Sequence, residues 1–216
     1  MKNIKIEVTN ERIIPAGGLT VVGAILGKSN FVKRCNRMDI TPNRSQHQIK
    51  NSDILLSYIG MLCMGKPQFQ AVREMDDDRD FYKSALGIAY NIPSEETLCQ
   101  RMDDIGSSQR EHILAENVEL LRSNGIVHFK FPNGLVLKLT ILAYNILRMI
   151  GQESIGRRKT RHKVHRRRLR TVISNMIMMA SYVTEHARQS IMGLGKNNVW
   201  RDTFAEIYTA FEKFSM

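Results

Sequence analysis

"LVLKLTILAYNILRMIGQ", residues 135–152, is the stretch from which the fold has to be argued. Its polar residues Lys138, Asn145, Arg148 and Gln152 are separated by 7, 3 and 4 positions, which on a 3.6-residue repeat makes one narrow stripe on a helix otherwise apolar all round. Such a helix must be buried on most sides, so other elements have to cover it. Residues 135–150, about sixteen in number and interrupted by Lys138, Asn145 and Arg148, are short and polar for a bilayer span. The opening "MKNIKIEVTN" has no apolar leader core, so no membrane partner is expected.

Directly behind lies "GRRKTRHKVHRRRLRT", residues 156–171, in which nine of the fourteen residues from 157 to 170 are Lys or Arg. The chain holds 32 basic and 21 acidic residues, and the excess is local: residues 1–125 carry 16 of each, residues 126–216 carry 16 basic and 5 acidic. Like charges packed this densely repel until a polyanion neutralises them. Arg157, Arg158, Lys159, Arg161, Lys163, Arg166, Arg167, Arg168 and Arg170 are therefore expected to meet a polyanion, a nucleic acid or an acidic membrane, the plainer alternative being a solvated charged face. A basic RNA-binding protein would interleave aromatic rings with these cations for base stacking, and residues 157–170 contain none.

The first part of the chain reads as short helices. Residues 19–26 and 52–64 are apolar with helical spacing, punctuated by "PAGG" and "GKPQ", and "MDDDRD" at residues 75–80 suits an acidic helix start. Residues 81–106, "FYKSALGIAYNIPSEETLCQRMDDIG", look like helix, turn, helix: Gly87 ends the first helix, Pro93 blocks continuation and Ser94 caps the second. On that second helix Leu98, Met102 and Ile105 form an apolar stripe, while Thr97, Gln100, Arg101 and Asp104 line another face. A DNA-reading helix docks by one face and reaches bases or phosphates with the other, which makes Thr97, Gln100 and Arg101 the expected contacts.

Turn signals at Asn124-Gly125 and Pro132-Asn133-Gly134 divide the chain into a helical N-terminal region, residues 1–125, and a basic C-terminal region, residues 126–216. In the latter, Met176, Met178 and Met179 suit core filling. Residues 172–195 fit a helix or a strand hairpin turning near His186 equally well. "VWRDTFAEIYTAFEKF", residues 199–214, is an amphipathic helix with Phe204, Ile207, Tyr208 and Phe211 on one side.

In this order the pieces resemble an insertion-sequence transposase of the DDE class, the group described as transposase DDE domain group 1. The likeness rests on "PAGGLTVVGAIL", "SDILLSYIGMLCMGKPQFQAVREMDDDRDFYKSALGI" and "IPSEETLCQRMD" in the first part, and on "LAYNILRMIGQ", "RRRLRTVISNMI" and "HARQSIMGLGKNNVWRDTF" in the second. It covers roughly residues 15–110 and 128–216. The resemblance implies a mainly α fold: a helical N-terminal DNA-binding region plus a C-terminal helical or α+β remnant of an RNase H-like transposase.

In such transposases an RNase H-like core lies between these two parts. It supplies two aspartates and a glutamate for two metal ions, magnesium in the full-length family, one activating the attacking water or 3′-hydroxyl and the other stabilising the leaving oxygen. Here the first part ends near Gly125 and the second begins within about ten residues, which leaves no room for that core. Asp76, Asp77, Asp78 and Asp80 belong to the first part, Asp103 and Asp104 are adjacent, and after Gly125 the acids are Glu153, Glu185, Asp202, Glu206 and Glu212. No catalytic triad is assigned to any positions, and no cofactor is expected.

The resemblance thus implies a cytoplasmic, DNA-binding, transposase-like protein of a bacterial insertion sequence, internally deleted and catalytically inactive. It would bind double-stranded DNA at transposon ends, with the basic run of residues 157–170 lying against the phosphates, as a homo-oligomer or in a mixed oligomer with a full-length transposase. Two rivals stay open: a competent subunit whose core another chain supplies, and a decayed fragment without function. Other chemistry has little support. Cys35, Cys63 and Cys99 lie 28 and 36 residues apart with no C-x-x-C pair and are expected as reduced thiols. His162 and His165 are flanked by cations that oppose a divalent metal, and "GKSN" at Gly27 lacks the glycine spacing of a phosphate loop.

Overall fold

The computed structural model describes residues 12–37, 48–106, 110–123, 134–157, 165–186, 189–196 and 198–213. In chain order these form β1 (Ile13–Ile14), α1 (Leu19–Lys28), α2 (Phe31–Arg37), α3 (Asn51–Cys63), a 3-10 turn (Phe69–Met75), α4 (Arg79–Leu86), α5 (Glu95–Ile105) and α6 (Arg110–Ser123). There follow α7 (Leu135–Arg157), α8 (Leu169–Val172), a π turn (Ile173–Ile177), β2 (Ser181–His186), β3 (Gln189–Leu194) and α9 (Arg201–Lys213). The fold is mainly helical, with one antiparallel sheet in the order β1-β2-β3.

Helix α7 runs for 23 residues, longer than the apolar run in the sequence, and by length and composition it could cross a membrane. Here it is a core helix, packed against α3, α6, α8 and α9. Leu139, Leu142, Ile146 and Ile150 are fully enclosed, each worth about 2 kcal/mol of apolar burial. The polar stripe is not its solvent face. Lys138 and Asn145 are buried, Arg148 is half-buried and Gln152 is exposed, while Val136, Leu137 and Tyr144 reach the surface. Asn145 donates to the side-chain oxygen of Asn117 on α6 at 3.1 Å, and Asn117 donates to the carbonyls of Ile113 and Lys138 at 3.0 and 3.4 Å. A buried amide costs stability unless it is bonded, so this chain of bonds fixes the register of α6 on α7.

Residues on both sides of position 125 share one core. Helix α3 packs on α7, α1 packs on α9, and β1 pairs with β2 through Ile13 opposite Tyr182 and Ile14 opposite Ser181. The "PAGG" segment, which reads in the sequence as punctuation, is a point of close contact between the two regions. The amide of Gly17 donates to Met179 O and that of Gly18 to Ile177 O, at 3.1 and 3.0 Å. A Cβ at Gly18 would overlap the carbonyl of Met176, and one at Gly23 the carbonyl of Ala85 where α4 crosses α1.

Residues 172–195 divide between the two readings the sequence allowed. Val172 ends α8, the π turn carries Met176 and Ile177 into the core, and β2 and β3 pair antiparallel, with Tyr182 opposite Gly193. The Tyr182 ring lies over Gly193, filling the space of the missing side chain. In α9, Phe204, Ile207 and Phe211 are buried and Tyr208 is half-buried.

The glycines predict opposite signs. Gly18→Ala should cost about 3 kcal/mol by forcing backbone apart, read as a melting temperature lower by about 10 °C. Gly27→Ala, in α1 with open space around it, should gain about 0.5–1 kcal/mol from helix propensity. The thiols make a second forecast. None of the three forms a disulfide, Cys35 and Cys63 being buried and Cys99 exposed, and burial pushes the Cys63 thiol up to about 12. A thiol reagent at pH 8 should therefore titrate Cys99 rapidly in the native protein and the other two only after unfolding.

Candidate nucleic-acid interface

The connection between α4 and α5 is held by polar groups of α3 and α4. Asp53, fully buried, accepts the amides of Ala89 and Tyr90 at 3.1 and 2.9 Å. Arg79 donates to the Asn91 side chain and the Ile92 carbonyl at 3.0 and 3.4 Å. Gly87 closes α4 at φ +72°, in the left-handed region glycine adopts without strain. The Ser94 hydroxyl caps α5 by accepting the Thr97 amide at 3.2 Å. The two helices nevertheless dock separately, α4 mainly on α1, and α5 on α3 and the 3-10 turn.

Leu98, Met102 and Ile105 form the buried stripe of α5, as their spacing predicts. The opposite face departs from expectation at Arg101. Its side chain turns inward, only 7% of the residue is exposed, and its guanidinium donates to the Asn51 side chain at the start of α3. Position 101 falls at the edge of the buried stripe, beside Leu98 and Met102, and Asn51 supplies the acceptor that makes inward placement tolerable. Gln100 is exposed and Thr97 half-buried, so the solvent face of α5 shows Glu96, Cys99, Gln100, Asp103 and Asp104 with no cation. Glu95 and Glu96 pair with Arg73, and the carboxyl of Glu96 is held below its usual range by hydrogen bonds from its own amide and Ser94, with Arg73 adding to them. At the start of α4, burial first and then Asp78, Glu74 and Asp77 push the Tyr82 hydroxyl up to about 12.

The basic run has several separate duties. Arg158, Lys159, Arg161, Lys163 and His162 lie outside the described residues. Arg157 pairs with Glu153 one turn back on α7. Arg167 is a structural bolt: its Nε donates to the buried Ser154 hydroxyl at 2.5 Å, a terminal nitrogen donates to Ser154 O at 3.3 Å, and its guanidinium carbon sits 4.8 Å from the centre of the Trp200 ring. Gly151 lets this segment close on α7, since a Cβ there would meet Val172 at 3.0 Å. With Arg167 turned in, His165, Arg166, Arg168 and Arg170 point to solvent, and Arg166 donates to the Tyr144 hydroxyl at 2.9 Å. The acidic segment does not bind the described part of this run: Asp78 pairs with Arg12 and Asp76 with Arg79, both at 2.6 Å.

Sequence reasoning could not find Ser154, Trp200 or Tyr144 as companions of the run, because they lie 13, 33 and 22 positions from their arginines. Elsewhere, a cleft of about 590 Å³ between α1, α4, the hairpin and α9 is walled by Phe81, Met192, Leu194, Phe204 and Tyr208, and none of the expected DNA contacts lines it. Among the described residues, no three His, Cys, Asp or Glu side chains are grouped to hold a metal ion. Compared with family models, curated proteins and solved structures, the chain matches none.

Arg101→Met should lower stability by about 2 kcal/mol, because it removes the guanidinium bonded to Asn51 and leaves that buried amide to be satisfied anew. Gln100→Ala should change stability by less than about 0.5 kcal/mol. Equal melting curves for the two variants would show that Arg101 is not the anchor its position suggests.

Proposed function

We propose that this chain is a DNA-binding, transposase-like protein of a bacterial insertion sequence, acting in the cytoplasm on transposon ends without a strand-transfer core of its own. The observation that carries the reading is the presentation of Arg166, Arg168 and Arg170 as exposed cations on a segment fastened to α7 and Trp200 through Arg167. Cations held in place before binding lose less entropy on meeting phosphates than cations on a free tail. The β2–β3 hairpin with α9 is read, within the same proposal, as what remains of an RNase H-like fold. Catalytic inactivity rests on the sequence, in which the two regions of resemblance follow one another with no length for three separated carboxylates. The chain would occupy ends as a homo-oligomer or within a mixed oligomer.

Because Arg101 is an internal anchor and α5 shows acids to solvent, the run at α7 and α8 is the expected source of affinity. Replacing Arg166, Arg168 and Arg170 by Gln should make the slope of log affinity against log salt on a 20-base-pair duplex shallower by up to about 3 units. The loss should be similar for all duplex sequences, since phosphates carry no sequence information. Arg167→Gln should instead lower the melting temperature by several degrees. A triple variant with an unchanged salt slope would sink the reading.

A further inference from the structure

The stretch of residues 157–170 holds no aromatic side chain, but the fold brings one to it. Tyr144 of α7 is 36% exposed, and its hydroxyl accepts from Arg166 at 2.9 Å. The guanidinium meets the edge of the ring through the oxygen. Trp200 differs, since a guanidinium lies over its face and it is half-buried against the core. On α7, Leu137, Ile141 and Tyr144 fall at i, i+4 and i+7 and so share one face, with Leu137 42% exposed and Ile141 half-buried. Arg148, half-buried, stands one turn beyond Tyr144 on that face. The surface is therefore an apolar track ending at an exposed ring that is flanked by Arg148 on the helix and by Arg166 from the following segment, with Arg168 exposed two positions further on.

Duplex phosphates need only the cations. An exposed ring and an apolar track beside them suit unpaired bases, whose flat faces seek cover from water once they leave the stack. We infer that this surface takes a single-stranded segment of DNA, with a base stacked on Tyr144 and its neighbouring phosphates on Arg148, Arg166 and Arg168. The inference rests on the reading of the basic run as a nucleic-acid contact and adds to it the form of the nucleic acid. Charge complementarity and the ring act together, so the site prefers frayed or unpaired ends to closed duplex. Because the ring contributes through its face and not its hydroxyl, Tyr144→Phe should keep binding that Tyr144→Leu loses.

The test compares the full-length protein with Tyr144→Phe and Tyr144→Leu on a 20-nucleotide oligo(dT) and on a 20-base-pair duplex, by fluorescence anisotropy at one salt concentration. Tyr144→Leu should weaken oligo(dT) binding about tenfold and leave duplex binding within about twofold, and Tyr144→Phe should match the wild type on both. Equal affinity of all three proteins for oligo(dT), or equal losses on both ligands, overturns the inference. Wild-type protein that binds duplex but not oligo(dT) also overturns it while leaving the DNA-binding proposal standing, and binding to neither overturns both. Should Tyr144→Leu fail to fold, Tyr144→Trp reads the same property with the opposite sign. Its larger ring should tighten oligo(dT) binding severalfold, and an unchanged affinity counts against a stacked base.

Discussion

One long apolar helix has to be kept from water, and most of the fold follows from how that is done. Helix α7 is enclosed by α3 and α6 from the region before it and by α8 and α9 from the region after it. Neither set alone covers a helix whose buried positions include Leu139, Leu142, Ala143, Ile146, Leu147, Met149 and Ile150. The two regions are consequently parts of one core. The same demand explains the tight glycine contacts: Gly17 and Gly18 let the start of α1 press against the π turn and β2, drawing the distant ends of the chain together around the same core.

Polar groups inside that core set its geometry. Asn117 and Asn145 lock α6 to α7, Asn51 receives Arg101 of α5, and Asp53 holds the amides of the α4–α5 connection. Hydrophobic burial is indifferent to small slides between helices, whereas a buried amide or carboxylate loses its partner if the register shifts by a fraction of a turn. The orientation of α5 is thus decided by side chains at the start of α3, and with it the acidic character of its outer face.

Charge is distributed with the same division of labour. The acids gather along the 3-10 turn, α4 and α5, where Arg12, Arg73 and Arg79 answer several of them. Among the described residues of the basic run, Arg166, Arg168 and Arg170 are exposed together at the entry to α8. Within the run, Arg167 supports the neighbours on either side by gripping Ser154 and Trp200. Arg167 is half-buried against α7 while Arg166 and Arg168 on either side of it are exposed. Residues 165–170 form a fixed edge of the protein, and the place of Arg166 beside Tyr144 joins charge to an aromatic surface.

Periodicity alone determined a good deal. The apolar spacing of residues 19–26 and 52–64 produced helices, and in residues 98–105 and 204–211 the expected apolar stripes are the buried ones, Tyr208 only half so. Gly87, Pro93 and Ser94 ended and began helices where their backbone chemistry dictates, because these signals act within one turn of chain. The local density of positive charge was equally legible. The sequence could not say which polar residues of an amphipathic helix would find partners inside: Arg101 turned in because Asn51, fifty positions away, offered an acceptor, and Asn145 turned in to Asn117 of α6. Nor could it distinguish, within a row of arginines, the one that fastens the segment from those that face solvent, or show that Tyr144 stands beside them. Those assignments depend on which segments meet in space, and only the packing of α7 against both regions of the chain decided that.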